Sequence, residues 1–169
     1  MRRRAAARLL LVAVLLGTGG ACVDRPEPTL PTAEEVEGYY EYGSELDAAI
    51  VGNVAVLTVE QDAEQLRRGG RLWAMVGPYI FLFTEETRQL LEDHPGLAAV
   101  RVNTRVGSAR VATALLPREE MPDILWRRSL NIAGKARRDG SARPTLLEAL
   151  VAWGEAHTEY SYDERFTRR

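Results

Sequence analysis

AAVRVNTRVGSARVATALL, residues 98–116, alternates apolar and polar side chains on both sides of a central Gly107-Ser108 pair. Successive side chains of an extended chain point to opposite faces. Val100, Val102, Thr104 and Val106 therefore share one face, and Arg101, Asn103 and Arg105 share the other. Gly-Ser suits a tight turn, after which Val111, Thr113 and Leu115 return along a second strand. The stretch predicts a β-hairpin with one face buried and one exposed. A two-residue loop places Arg105 directly opposite Arg110, with Arg101 farther along the same surface. Like charges opposed across a sheet are destabilising, so something must compensate them. Either acids from elsewhere in the chain fold over this face, or an anionic partner such as a phosphate, a carboxylate or an acidic protein surface does so. The chain's own acid supply favours the internal answer. From Pro26 to Glu64 there are ten acidic residues and no basic one.

Upstream, Thr32 with Glu35 three residues on forms a capping box for a helix running to about Tyr42 and stopping at Gly43. Residues 46–59 (LDAAIVGNVAVLTV) read as a first hairpin turning at Gly52-Asn53. Residues 61–68 predict a short helix ended by Gly69-Gly70. Residues 72–83 (LWAMVGPYIFLF) predict one or two buried strands, interrupted at Gly77-Pro78 because proline cannot donate to a ladder. Thr84 caps a helix from Glu85 to about Asp93, ended by Pro95-Gly96. Downstream, 119–138 and the stretch from Pro144 predict two helices, with Leu125, Trp126, Leu130, Ile132, Leu146, Leu147, Leu150, Val151 and Trp153 as their apolar faces. The order ββαβαββαα implies a single α+β two-layer domain, mostly antiparallel hairpins covered by helices, with a helical C-terminal third. We place the globular domain at 33–160 and a polar tail at 161–169.

Few residues suit chemistry. There is no Gly-x-Ser-x-Gly elbow, no phosphate-cradling Gly-rich loop and no His-Glu-x-x-His pair. Only two histidines occur, which excludes a metal site built on several imidazoles. His94 ends a helix, where an imidazole favours the last carbonyls. Glu155, His157 and Glu159 are a weak metal candidate, since an extended segment would align all three on one face and a helical one would not. Tyr39, Tyr40 and Tyr42 read as a helix face packed on the sheet, with glycan or peptide stacking as the alternative. The tryptophans read as core. Arg127, Arg128, Lys135, Arg137, Arg138 and Arg143 form a second basic set, read as solvated helix faces that an anionic bilayer would also suit. Lys135 is the only lysine, the pattern of a GC-rich coding sequence, so arginine content alone does not signal phosphate recognition.

The first residues read as an export signal: Arg2, Arg3, Arg4 and Arg8, then the apolar run 9–16 (LLLVAVLL), then small residues to Ala21. A bilayer-spanning helix needs about 20 apolar residues, so this run is too short for a permanent span. Gly19-Gly20-Ala21-Cys22 resembles the lipobox of bacterial lipoproteins. That resemblance covers residues 1–22 and implies that Cys22 is acylated and becomes the first residue. The family's usual leucine three places before the cysteine is Gly19 here, and ordinary cleavage after Ala21 is the alternative. Cys22 is the only cysteine, and a free thiol in an oxidising compartment is a liability, which favours the lipid. Val23 follows the cysteine, with Asp24 next, and by the same resemblance this leans toward the outer membrane over the inner. Residues 23–32 (VDRPEPTLPT) carry three prolines and read as a tether, ten residues reaching about 30 Å as polyproline II. Residues 1–21 hold four arginines and no acid, so without them 18 basic residues face 24 acidic ones, a net charge of −6. A balance of that sign argues against nucleic-acid binding.

These residues together predict a membrane-anchored envelope protein with a non-catalytic binding domain, requiring no cofactor, whose partner is an envelope protein or an anionic polymer. The alternatives are a small envelope hydrolase or metal-dependent enzyme using residues 155–163, and a soluble periplasmic protein without lipid.

Overall fold

A computed structural model describes residues 29–40 and 46–168. The expected signal segment, Cys22, most of the expected tether and Tyr42 lie outside the described residues. The elements are α1 (Ala33–Tyr39), β1 (Leu46–Val51), β2 (Val54–Glu60), α2 (Ala63–Leu82), α3 (Glu85–Asp93), β3 (Ala99–Val106), β4 (Ala109–Pro117), a 3₁₀ turn (Arg118–Glu120), α4 (Asp123–Asp139), α5 (Pro144–His157), β5 (Glu159–Tyr162) and α6 (Glu164–Thr167). This is the α+β two-layer fold that the alternating and helical patterns predict. The five strands lie side by side in chain order. All neighbours are antiparallel except β2 and β3, which run parallel and are joined through α2 and α3.

One face of the sheet carries the core. Ala55, Leu57, Val59, Val100, Val102, Ala114 and Leu116 are fully buried there with Val76, Tyr79 and Leu82 of α2 and Leu147 and Leu150 of α5. Burying a side chain of this size contributes about 1.5–3 kcal/mol, so this face holds the molecule together. Apart from Ala99 at the start of β3, the opposite face is half-buried or exposed along every strand, from Asp47 and Ala49 through Thr58, Arg101 and Asn103 to Glu159 and Ser161. All helix–sheet packing of α2 onto β3 and β4, and of α1 onto β1, lies on the core side. Among the described residues, no helix is long and apolar enough to cross a membrane.

Four expectations are corrected. Residues 72–83 are not strands: they form the second part of α2, whose backbone leaves helical geometry only at Gly70 (φ 57°, ψ −147°). The expected stop at Gly69-Gly70 is therefore real, but a helix resumes after it. A run of twelve apolar residues is longer than most buried strands and fits a helix buried over a wide face. That width arises because α2 packs on β3, β4 and α5 together. Pro78 is accommodated inside the helix, and Gly77 marks a close approach, since a Cβ there would sit 2.2 Å from Gln61 Nε2.

The second correction concerns β4. Its inward residues are Ala112, Ala114 and Leu116, while Thr113 and Leu115 join the open face. Arg105 pairs with Arg110, but Thr104 pairs with Ala112, so Val111 is the extra residue of a β-bulge. Alternation resumes one position out of phase beyond it. Third, the expected polar tail belongs to the fold. Tyr162 pairs with Ala112, and Phe166 packs on the small cluster of Leu66, Ala74, Val111 and Ala112. The helix expected from 119 begins at Asp123, after the 3₁₀ turn.

Candidate functional site

The strand register assembles the open face residue by residue. Across β2, β3, β4 and β5, Val56, Arg101, Leu115 and Glu159 form one row, and Thr58, Asn103, Thr113 and Ser161 the next. Glu60, Arg105 and Arg110 form a third row at the hairpin end. The predicted apposition of Arg105 and Arg110 is present.

Its compensation is internal for one arginine only. Arg105 Nη2 donates to Asp47 Oδ2 at 3.1 Å. Its Nε lies 3.1 Å from Glu60 Oε2, a close ionic contact too poorly aligned for a hydrogen bond. Both acids come from the acidic N-terminal third, as the charge pattern anticipates. Glu60 also accepts the Gly107 backbone N–H at 2.6 Å, so one carboxylate holds both the arginine and the hairpin turn. Arg101 and Arg110 are exposed and enter no ion pair or hydrogen bond among the described residues. Arg110 acts at a distance on Asp163, whose carboxyl is pulled down to about 2, chiefly by hydrogen bonds from Arg165.

Between these two arginines lies a shallow hollow of about 320 Å³, whose floor includes Asn103, Thr113, Leu115 and Ser161. Thr113 Oγ1 donates to Asn103 Oδ1 at 2.7 Å. That bond occupies the amide's carbonyl and leaves its NH₂ group as a donor. Glu159 stands on the rim. The hollow thus offers two cations and neutral hydroxyl and amide donors, with one carboxylate at its rim, an arrangement that orients an anionic group.

The residues at the C-terminal end of α5 go separate ways. Glu155 accepts from Tyr162 Oη at 3.1 Å, and Tyr162 in turn meets Tyr79 Oη at 2.6 Å. Burial raises both phenols, Tyr79 to about 12. His157 Nδ1 lies 3.1 Å from Glu120 Oε1, its ring 4.3 Å from that of Trp153. Glu159 has crossed to the open sheet face. The helix ends at His157 and a strand begins at Glu159, so the segment is neither wholly extended nor wholly helical. The structure does not bring Glu155, His157 and Glu159 together, and no group of three potential metal ligands occurs among the described residues.

Sequence reasoning missed two structural arginines. Arg118 donates to the carbonyl oxygens of Leu97 (2.6 Å), Leu91 (2.5 Å) and His94 (2.6 Å), closing the C-terminal end of α3. Arg137 donates to Ile80 O at 2.7 Å and Phe83 O at 3.5 Å, closing α2. Helix ends leave carbonyls without partners, and a guanidinium fork reaches several at once. No spacing in the sequence reports such long-range caps. Tyr39 and Tyr40, expected to pack on the sheet, bond instead through their hydroxyls to Asp93 (2.9 Å) and Thr87 (2.8 Å) of helix α3. His94 is the C-cap of α3, 3.3 Å from Tyr39 Oη. Trp126 is buried, and Trp73 and Trp153 pack partly buried against the core. No protein-family model, curated protein or solved structure matches the chain.

Proposed function

We propose that this chain is an exported cell-envelope lipoprotein, anchored through Cys22, whose domain is a non-catalytic binding module. Its open sheet face receives an acidic group of an envelope protein or anionic polymer at Arg101 and Arg110. One observation supports this reading above the others: on a single surface, Arg105 is held by two acids in close contact, while Arg101 and Arg110 form no ion pair among the described residues. The single cysteine, the Arg-rich start and the short apolar run support the anchor.

Mass spectrometry of the processed N-terminus tests the anchor: the expected form begins at acylated Cys22, and an unmodified thiol removes it. Capture of partners from the native envelope by the intact lipoprotein, alongside an Arg101→Glu/Arg110→Glu variant, tests the surface. The wild type should retain a partner that the variant loses, with binding falling as salt rises. Equal retention by both would refute the assignment of the sheet face.

A further inference from the structure

The second basic set divides once α4 is placed. At about 100° per residue, Ile124, Arg127, Asn131, Lys135 and Arg138 fall within a sector about 100° wide. All five are exposed, Ile124 at 64%. Trp126, Ser129, Ala133 and Ala136 lie on the opposite side and are buried. Arg137, read in the same set, falls on the flank of the buried side and caps α2. Arg128 stacks over the Trp153 ring at 4.5 Å.

Arg127, Lys135 and Arg138 enter no ion pair or side-chain hydrogen bond among the described residues, and α4 carries acids only at Asp123 and Asp139. Asp123 is 3.8 Å from Arg88 of α3. The stripe is therefore a straight row of free cations about 20 Å long, with an exposed isoleucine at one end. It stands out on a chain whose acids outnumber its bases.

We infer that this face of α4 lies against an anionic bilayer. The inference goes beyond the binding role of the sheet and rests on the anchored reading for its geometry. Cations on long side chains beside one apolar residue fit a headgroup layer better than a protein pocket, because each reaches a phosphate independently. The chain supports the same orientation. Its described part begins beside α1, α1 packs on α3, and α3 meets the start of α4 through Arg88 and Asp123. Residues 29–32, which lead into α1, and the stripe thus belong to the helical layer, and the open sheet face points away from it. With the stripe on the membrane, Arg101 and Arg110 face the aqueous space.

The test uses the full chain reconstituted through its N-terminus into phosphatidylcholine vesicles, with or without about 30 mol% phosphatidylglycerol. A fluorophore on Asn131→Cys reads proximity to headgroup-quenching lipids, and one on Ser161→Cys reports the opposite layer. Quenching is expected at 131 only, only with phosphatidylglycerol, and it should disappear at high salt and in Arg127→Glu/Lys135→Glu/Arg138→Glu. Quenching at 131 that ignores lipid charge, or none in any vesicle, overturns the inference. Label stoichiometry separates the two readings: two labels per chain mean that Cys22 is free and the anchor is wrong, whereas one label without quenching condemns the stripe alone.

Discussion

Arg118 shows how one side chain fixes the junction of three elements. It takes three carbonyls at 2.5–2.6 Å from α3 and the loop that follows it, and burial pushes its guanidinium pKa down. Charge-assisted hydrogen bonds contribute about 1.5–3 kcal/mol each, and carbonyls left without donors cost more than the bonds gained. Arg118→Met should therefore lower unfolding free energy by about 3 kcal/mol, measured by urea denaturation, and Arg118→Lys should recover only part, since an ammonium cannot fork to all three. The tyrosine pair gives a pH dependence. Tyr79 is raised from its ordinary 10.0 to about 12 by burial, and Tyr162 is raised by burial and by its bonds to Tyr79 and Glu155. A phenol with a raised folded pKa stabilises the fold fully below its unfolded value, and that contribution fades as pH climbs toward the folded one. Stability should fall between pH 10 and 12, and Tyr79→Phe with Tyr162→Phe should flatten that fall. An unchanged alkaline slope in the double variant would place the titration elsewhere.

Close approach decides how the elements meet. A Cβ on Gly154 of α5 would lie 2.3 Å from the Tyr79 ring of α2, so glycine lets these helices touch. Gly154→Ala must displace a fully buried ring and should cost about 2 kcal/mol by the same denaturation measurement, with most of that cost relieved in Gly154→Ala/Tyr79→Leu. Such contacts explain which elements were legible in the sequence. Both hairpins and the caps of α1 and α3 were readable because each is local: Gly52-Asn53, Gly107-Ser108, Thr32 with Glu35, and Thr84 all act within four residues. The Arg105–Arg110 pairing was readable for the same reason. Residues 72–83 were not, because an apolar run buried on a wide face loses the helical period. The phase of β4 was hidden by the bulge at Val111, whose burial depends on Leu66 and Phe166, distant in the chain. Arg118 and Arg137 look like any other surface arginines until α3 and α2 end beside them.

The molecule closes its sheet with the last residues described, and this gives a prediction for the whole domain. Residues 161–168 look polar and expendable, yet β5 supplies the final strand and α6 covers the cluster of Leu66, Ala74, Val111 and Ala112 on the core side of the sheet. Tyr162 hangs beneath the strand and ties it to α2 through Tyr79, while Asp163 donates its backbone N–H to Val111 O at 2.9 Å, just where the bulge leaves β4 without a ladder partner. Ending the chain after Tyr160 would strip β4 of half its outer partner and uncover apolar side chains next to an unpaired edge, which is the template for aggregation. The truncated chain should lose at least about 3 kcal/mol, or fail to stay monomeric, as read by denaturation and light scattering. Arg101→Glu/Arg110→Glu, by contrast, should leave stability within about 0.5 kcal/mol of wild type, because neither arginine contacts anything that the fold requires. Arg105→Glu should cost more than either, since it sets a third carboxylate between Asp47 and Glu60. Ranked that way, the three arginines separate into one that belongs to the architecture and two that the architecture leaves available. If instead Arg101→Glu/Arg110→Glu unfolds the domain as readily as Arg105→Glu, the open face is a structural surface and the binding role assigned to it has no basis.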